Sequence, residues 1–137
     1  MHDLANVPGL SVRTSEADMS IKRYASTRWA GSLCVFAGLN AAPEHLEGDV
    51  TDQANDVFKQ VRSILADEGL TLKDVVSVTG YLNDPRDFVS YDEVWRETFP
   101  VDPPTRTTVA AQLLVPGARL EVSVTAARNP VETVRPL

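Results

Sequence analysis

Near its C-terminal end the chain alternates without a break. Leu120, Val122, Val124 and Ala126 are apolar, and Arg119, Glu121, Ser123 and Thr125 between them are polar. Successive side chains of a strand point to opposite faces, so Arg119 to Ala126 predicts a strand with one face in a core and the other wet. Such a strand needs neighbours in a sheet and a second layer over its apolar face. That layer is written upstream at a different period. Ala54, Val57, Phe58, Val61, Ile64 and Leu65 recur at the spacing of one buried helical stripe. Asp49 or Thr51 can cap the start of this helix and Gly69 can end it.

The remaining segments complete the pattern. A second helix spans about Arg86 to Thr98, with Phe88, Tyr91, Trp95 and Phe99 as its apolar stripe, and Pro100 and Pro103-Pro104 stop it. Val75 to Leu82 reads as a valine-rich strand that ends at Asn83-Asp84-Pro85. Leu10 to Arg13 is a candidate short strand. Ile21 to Ala25 and Leu33 to Gly38 read as strands joined by a turn near Ala30-Gly31-Ser32. Asn40 to Asp49, with Pro43 and Gly48, reads as a loop. Thr107 to Leu113 is a further strand, in whose register Arg106, Thr108, Ala110 and Gln112 share one face. The order strands, helix, strand, helix, two strands predicts a two-layer α+β domain, one sheet with two helices on one face. The uncovered face is mixed in polarity, which suggests a partner subunit across a wet interface and so a homo-oligomer.

Length and charge narrow the function classes. The 137 residues suit one domain, with a core from about residue 10 to residue 128, a loose lead-in through Pro8-Gly9 and a surface or disordered tail from Asn129. A net charge of −6 repels phosphate, so no nucleic-acid partner is expected. No apolar stretch approaches the ~20 residues that span a membrane, and no signal peptide is visible. The single cysteine, Cys34, excludes an internal disulfide and fits a reducing cytosol, so the expected compartment is cytoplasmic. Its apolar neighbours Leu33, Val35 and Phe36 predict buried packing rather than a reactive thiol. His2 and His45, with one cysteine, make no zinc-type ligand set, and no metal is expected.

Arg106 is the residue that points to chemistry. It opens a run of short and β-branched residues, Thr107, Thr108, Val109, Ala110 and Ala111, directly after Pro103-Pro104-Thr105. A planar guanidinium there can grip a carboxylate or phosphate through two parallel hydrogen bonds. The residues leave two uses open: an anchor for a small anionic substrate, or a structural ion pair at a strand end.

Pro104-Thr105-Arg106-Thr107, then Pro116-Gly117-Ala118 with Leu120-Glu121-Val122, resembles the hallmark of the Rid family, also called RidA or YjgF, whose members hydrolyse reactive enamines and imines. Supporting matches are Tyr24, the strand ending at Ala37-Gly38, Ala66-Asp67-Glu68-Gly69-Leu70 before Lys73-Asp74-Val75-Val76, and Asn83-Asp84-Pro85-Arg86-Asp87-Phe88. The likeness covers roughly Ile21 to Arg128.

The resemblance implies a chorismate-mutase-like fold with a mixed sheet, a homotrimer, active sites in the clefts between subunits and no cofactor. It implies that Arg106 binds the carboxylate of a 2-imino acid and that Glu121 activates water, with the substrate also held near Gly38 and Thr108 and by a Tyr24 hydroxyl from a neighbouring subunit. It also implies that the last two strands are not simply a hairpin. If they paired across Pro116-Gly117, Arg106 would lie about six residues, roughly 20 Å, from Glu121. Departures from the common pattern are Thr108 for cysteine, Ala37 for serine and Arg86 for asparagine. Arg86 is a candidate second cation for a larger or dianionic substrate, and Trp29 is expected to narrow the cleft. Two other functions compete: a regulatory trimer that binds 2-oxo acids without turnover, and RNA cleavage, which the acidic charge disfavours.

Overall fold

The computed structural model describes residues 23–129. The expected strand at Leu10 to Arg13, the lead-in and the tail from Pro130 lie outside that span. The chain runs β1 (Thr27–Ala30), β2 (Leu33–Phe36), β3 (Leu39–Asn40), α1 (Val50–Asp67), β4 (Val75–Leu82), α2 (Phe88–Thr98), β5 (Thr105–Ala110) and β6 (Leu120–Ala127), with short 3-10 turns at Pro43–His45, Leu72–Asp74 and Pro85–Asp87.

The strands form one mixed sheet in the order β1-β2-β6-β4-β5, and β3 adds to β6. The pairs β1–β2, β2–β6, β3–β6 and β4–β6 are antiparallel, whereas β4 and β5 are parallel and joined through α2. The strand with the sharpest alternation is therefore interior, paired on both sides. On its inner face Leu120, Val122 and Ala126 have no exposure and Val124 has 1%. The stripe of α1 packs on that face together with Tyr91 and Trp95 of α2 in one core cluster, so both helices lie on the same side. Phe58 is the hub. Its ring lies 6.3 Å from Tyr91, 6.2 Å from Trp95 and 5.8 Å from Phe99, the last two edge-on as ring quadrupoles prefer.

Local signals set the ends of α1. Asp49 caps it, its Oδ1 accepting from the Asp52 amide at 2.9 Å, and Gly69 leaves it with φ +75°, in the left-handed region that glycine enters freely. Buried Gln53 on the same helix donates to the carbonyls of Leu46, Gly48 and Gly117 and accepts from the Arg119 amide at 2.8 Å. It thereby ties the Pro116-Gly117-Ala118 turn to the helix just before β6 begins.

Several boundaries differ from the sequence reading. The first described strand is Thr27–Ala30; Arg23, Tyr24 and Ala25 are not in a strand. The two-residue turn Gly31-Ser32 fixes the hairpin register from Ala30↔Leu33 to Thr27↔Phe36, so its first strand must end at Ala30. β5 stops at Ala110 rather than Leu113, where its parallel partner β4 runs out at Leu82. Gln112 is thus outside the strand. Pro85 to Asp87 forms a 3-10 turn before α2, held by the Asp84 side chain on the Arg86 amide at 2.9 Å. Asn40, read as loop, pairs with Glu121. Phe88 is 37% exposed, at the rim rather than in the core. Cys34 is fully buried, and that burial raises its thiol pKa above the ordinary value, so it packs.

Candidate functional site

The open face of the sheet carries a cleft of about 660 Å³. Glu121 reaches it because it is out of phase with the buried Leu120 and Val122. Its carboxylate is held on one side and given room on the other. Asn40, its antiparallel partner, donates Nδ2 to Oε1 at 3.3 Å. Gly38 leaves the other side open only because it lacks a side chain: a Cβ there would stand 2.5 Å from Oε2. Tyr24, Arg28 and Ala37 also line the cleft. Tyr24 is 64% exposed, its ring free to meet whatever enters.

Arg106 lies elsewhere. The register Val78↔Arg106 and Val78↔Val124 puts it on the helix-facing side with the buried valines, while Glu121, beside Tyr81, is on the other. β4 stands between β5 and β6, so the two backbones are three residues and two strands apart, about 14 Å. Sequence reasoning contemplated a longer gap across a hairpin, but the hairpin does not exist. Arg106 Nη1 donates to Asp92 Oδ1 at 2.7 Å, and its guanidinium lies 5.3 Å from the Phe88 ring centre and 5.0 Å from that of Trp95. That hydrogen bond, the first cause, lowers the Asp92 carboxyl below its ordinary pKa. Both uses foreseen for this residue are therefore compatible: one N–H is engaged structurally, and the rest of the fork has no hydrogen-bond partner among the described residues.

Thr108 shares the Arg106 face. It stands beside Gly80, against which the Tyr91 hydroxyl packs. The hydroxyls of Thr108 and Tyr91 are both buried without a partner among the described residues. Burial pushes the Tyr91 phenol up to about 12. Arg106, Thr108 and Tyr91 thus lie on the helix side of the sheet, away from the Glu121 cleft.

The structure brings Tyr24, Gly38 and Glu121 together and leaves Arg106, Thr108 and Arg86 outside that cleft. Arg86 is gripped by Asp84, Nη2 to Oδ2 at 2.7 Å and Nε to Oδ1 at 3.1 Å, and projects into solvent. Trp29 does not narrow the cleft. It packs on the core side, donates Nε1 to Glu68 Oε2 at 2.5 Å and is covered by Arg128 at 4.4 Å. Its neighbour Arg28 faces the cleft instead. Asn40 and Arg28 were not singled out from sequence. Extending the alternation of Cys34 and Phe36 would put Asn40 on the buried face; the pairing shifts by one residue between Val35↔Thr125 and Asn40↔Glu121, so no sequence signal marked it, and none distinguished Arg28. Among the described residues no three His, Cys, Asp or Glu side chains converge as a metal site, and no helix is long and apolar enough to cross a membrane.

A mixed sheet with two helices on one face and a carboxylate-bearing cleft on the other defines an α+β domain built around small-molecule-sized space. Known proteins share the fold. A family model described as Endoribonuclease L-PSP matches residues 14–128. A RutC family protein of Pyrococcus horikoshii is 32% identical over 117 residues, 82% of this chain and 93% of its own. The chloroplastic Reactive Intermediate Deaminase A of Arabidopsis thaliana is 30% identical over 115 residues, 81% of this chain and 62% of its own. The crystal structure of a YjgF family member from Mycobacterium tuberculosis superposes with a TM-score of 0.71 at 26% identity, covering 84% of this chain and 94% of that one. The chain belongs to this Endoribonuclease L-PSP family, the YjgF/RidA family.

Proposed function

We propose that the protein is a hydrolytic deaminase of reactive enamines and imines, acting on 2-imino acids. The observation that carries the reading is the placement of Glu121: a carboxylate held by Asn40 and given room by Gly38 at the edge of an open cleft, with one side of the group facing the space a small molecule would fill. A relative named for reactive-intermediate deamination supports it.

Arg106 and Glu121 face opposite sides of one sheet, so a site that uses both is built from two subunits. A homotrimer of chorismate-mutase-like form provides such clefts. In it, Arg106 of one subunit binds the substrate carboxylate through its free N–H groups, with Thr108 beside it. The imine carbon is then fixed against Glu121 of the neighbour, near Gly38 and Tyr24. Glu121 takes a proton from water as the oxygen attacks the C=N carbon, and returns it to the nitrogen. The hydroxyl proton of the resulting carbinolamine passes by way of Glu121 to the amine, which leaves as ammonia as the C=O of a 2-oxo acid forms. One water is consumed per ammonia released, without change of oxidation state.

The test is ammonia release from freshly generated 2-iminopropanoate. The wild type is expected to accelerate it, Glu121→Gln to lower kcat by about 10²-fold or more, and Arg106→Ala to raise KM. Unchanged turnover in Glu121→Gln would sink the reading. Tight binding of 2-oxo acids with no turnover by the wild type would replace it with a ligand-binding role.

A further inference from the structure

Of the residues lining the cleft, Arg28 and Glu121 alone carry formal charge. Arg28 lies on β1, paired with Val35, and Val35 pairs with Thr125, which shares the Glu121 face. Counting two strands across and four residues along, the Arg28 and Glu121 backbones are about 16 Å apart with both side chains on the open face. Three other cations near the sheet are engaged. Asp84 holds Arg86, Asp87 holds Arg119 through two bonds of 2.9 Å, and Arg128 lies on Trp29. Arg28 makes no hydrogen bond or ion pair among the described residues, and it is exposed. In a chain of net charge −6, an unpaired guanidinium at the far end of a cleft from its carboxylate is an anion subsite in want of an anion.

We propose that Arg28 sets substrate specificity by binding a second acidic group, so that the preferred substrates are imines of dicarboxylic 2-oxo acids. This rests on the deaminase reading and adds the substrate class. The α-carboxylate goes to Arg106 of the neighbouring subunit, the imine carbon sits at Glu121, and the distal carboxylate extends along β2 to Arg28. That guanidinium also offsets the repulsion a dianion meets from Glu121. The role sought for a second cation at Arg86 thus falls to Arg28, because Asp84 already occupies the Arg86 fork.

The test compares 2-iminosuccinate and 2-iminoglutarate with 2-iminopropanoate in wild type, Arg28→Ala and Arg28→Lys. The wild type is expected to favour the dicarboxylic imines, and the ratio of kcat/KM values, dicarboxylic over monocarboxylic, is expected to fall about tenfold in Arg28→Ala, chiefly through KM. Arg28→Lys restores part of it. A ratio unchanged by Arg28→Ala, or no dicarboxylic preference in the wild type, overturns the proposal. If no imine is turned over, the deaminase reading fails by itself, and calorimetric binding of oxaloacetate against pyruvate decides the subsite: a preference lost in Arg28→Ala retains it, and equal affinities remove it.

Discussion

Arg106 and Glu121 project from opposite faces of one sheet, separated by β4, which pairs with the strands of both. No side-chain rotation in a single chain brings them onto one small substrate. The relationship has a direct consequence for mixtures of variants. Arg106→Ala and Glu121→Ala are each expected to be inactive. Co-refolded in equal amounts, they regain activity, because a mixed oligomer contains clefts with an intact arginine from one chain and an intact glutamate from the next. Random assembly of a closed ring gives about a quarter of the wild-type rate. Absence of recovery in verified mixed oligomers would show that the two residues do not serve one site.

Gly38 is where the cleft tolerates no side chain. In Gly38→Ala the new Cβ would meet the Glu121 carboxylate at 2.5 Å, and the Asn40 amide restrains its retreat on the other side. Displacing a catalytic group by about 1 Å can cost on the order of 10²-fold in rate. Imine hydrolysis is therefore expected to fall by about that factor, with the thermal midpoint little changed. Asn40→Ala, which frees the carboxylate without pushing it, is expected to be milder, and steady-state kinetics on both variants check the order.

Tyr91 buries its hydroxyl against Gly80 with no hydrogen-bond partner among the described residues. An unsatisfied buried hydroxyl costs free energy, so Tyr91→Phe is expected to raise stability by about 1 kcal/mol, read by denaturant melts at pH 7. The phenol also titrates unusually. Burial raises it from the ordinary 10 to about 12, so the stability linked to its neutral form is complete below pH 10 and is lost as pH rises towards 12. The gap between Tyr91→Phe and wild type should therefore widen in that window. A constant gap would mean that the phenol titrates alike in the folded and the unfolded chain.

His45 holds the loop before α1. Its Nδ1 lies 3.0 Å from Asp52 and its Nε2 3.4 Å from Asp56, and the hydrogen bond to Asp52, more than the neighbouring carboxylates, raises its pKa above the usual 6.5. A raised histidine contributes its stability fully below pH 6.5 and loses it as pH climbs through the folded-state value. Thermal melts of His45→Asn should thus trail the wild type at pH 5.5 and converge with it by about pH 9. A difference that grows with pH would contradict this assignment.

What the chain states by itself is periodicity. The twofold alternation of Leu120 to Ala126, the helical stripe from Ala54 to Leu65 and the stops at Gly69 and Pro85 suffice for two helices over a sheet, because each depends only on residues close in sequence. The same alternation assigns Glu121 to the wet face, and the turn before it can be read from Pro116-Gly117. Strand neighbours are another matter. Period two says which residues of β5 share a face, but not that β4 would come between β5 and β6, nor which face of the joint sheet Arg106 would meet. That was decided by the parallel β4–β5 crossover through α2, a pairing between segments far apart in the chain. The same long-range packing set Asp92 against Arg106 and Asn40 against Glu121. It also turned Trp29 into the core and left Arg28 in the cleft, since a two-residue turn at Gly31-Ser32, and not the composition of the strand, fixed which of the two would face inward.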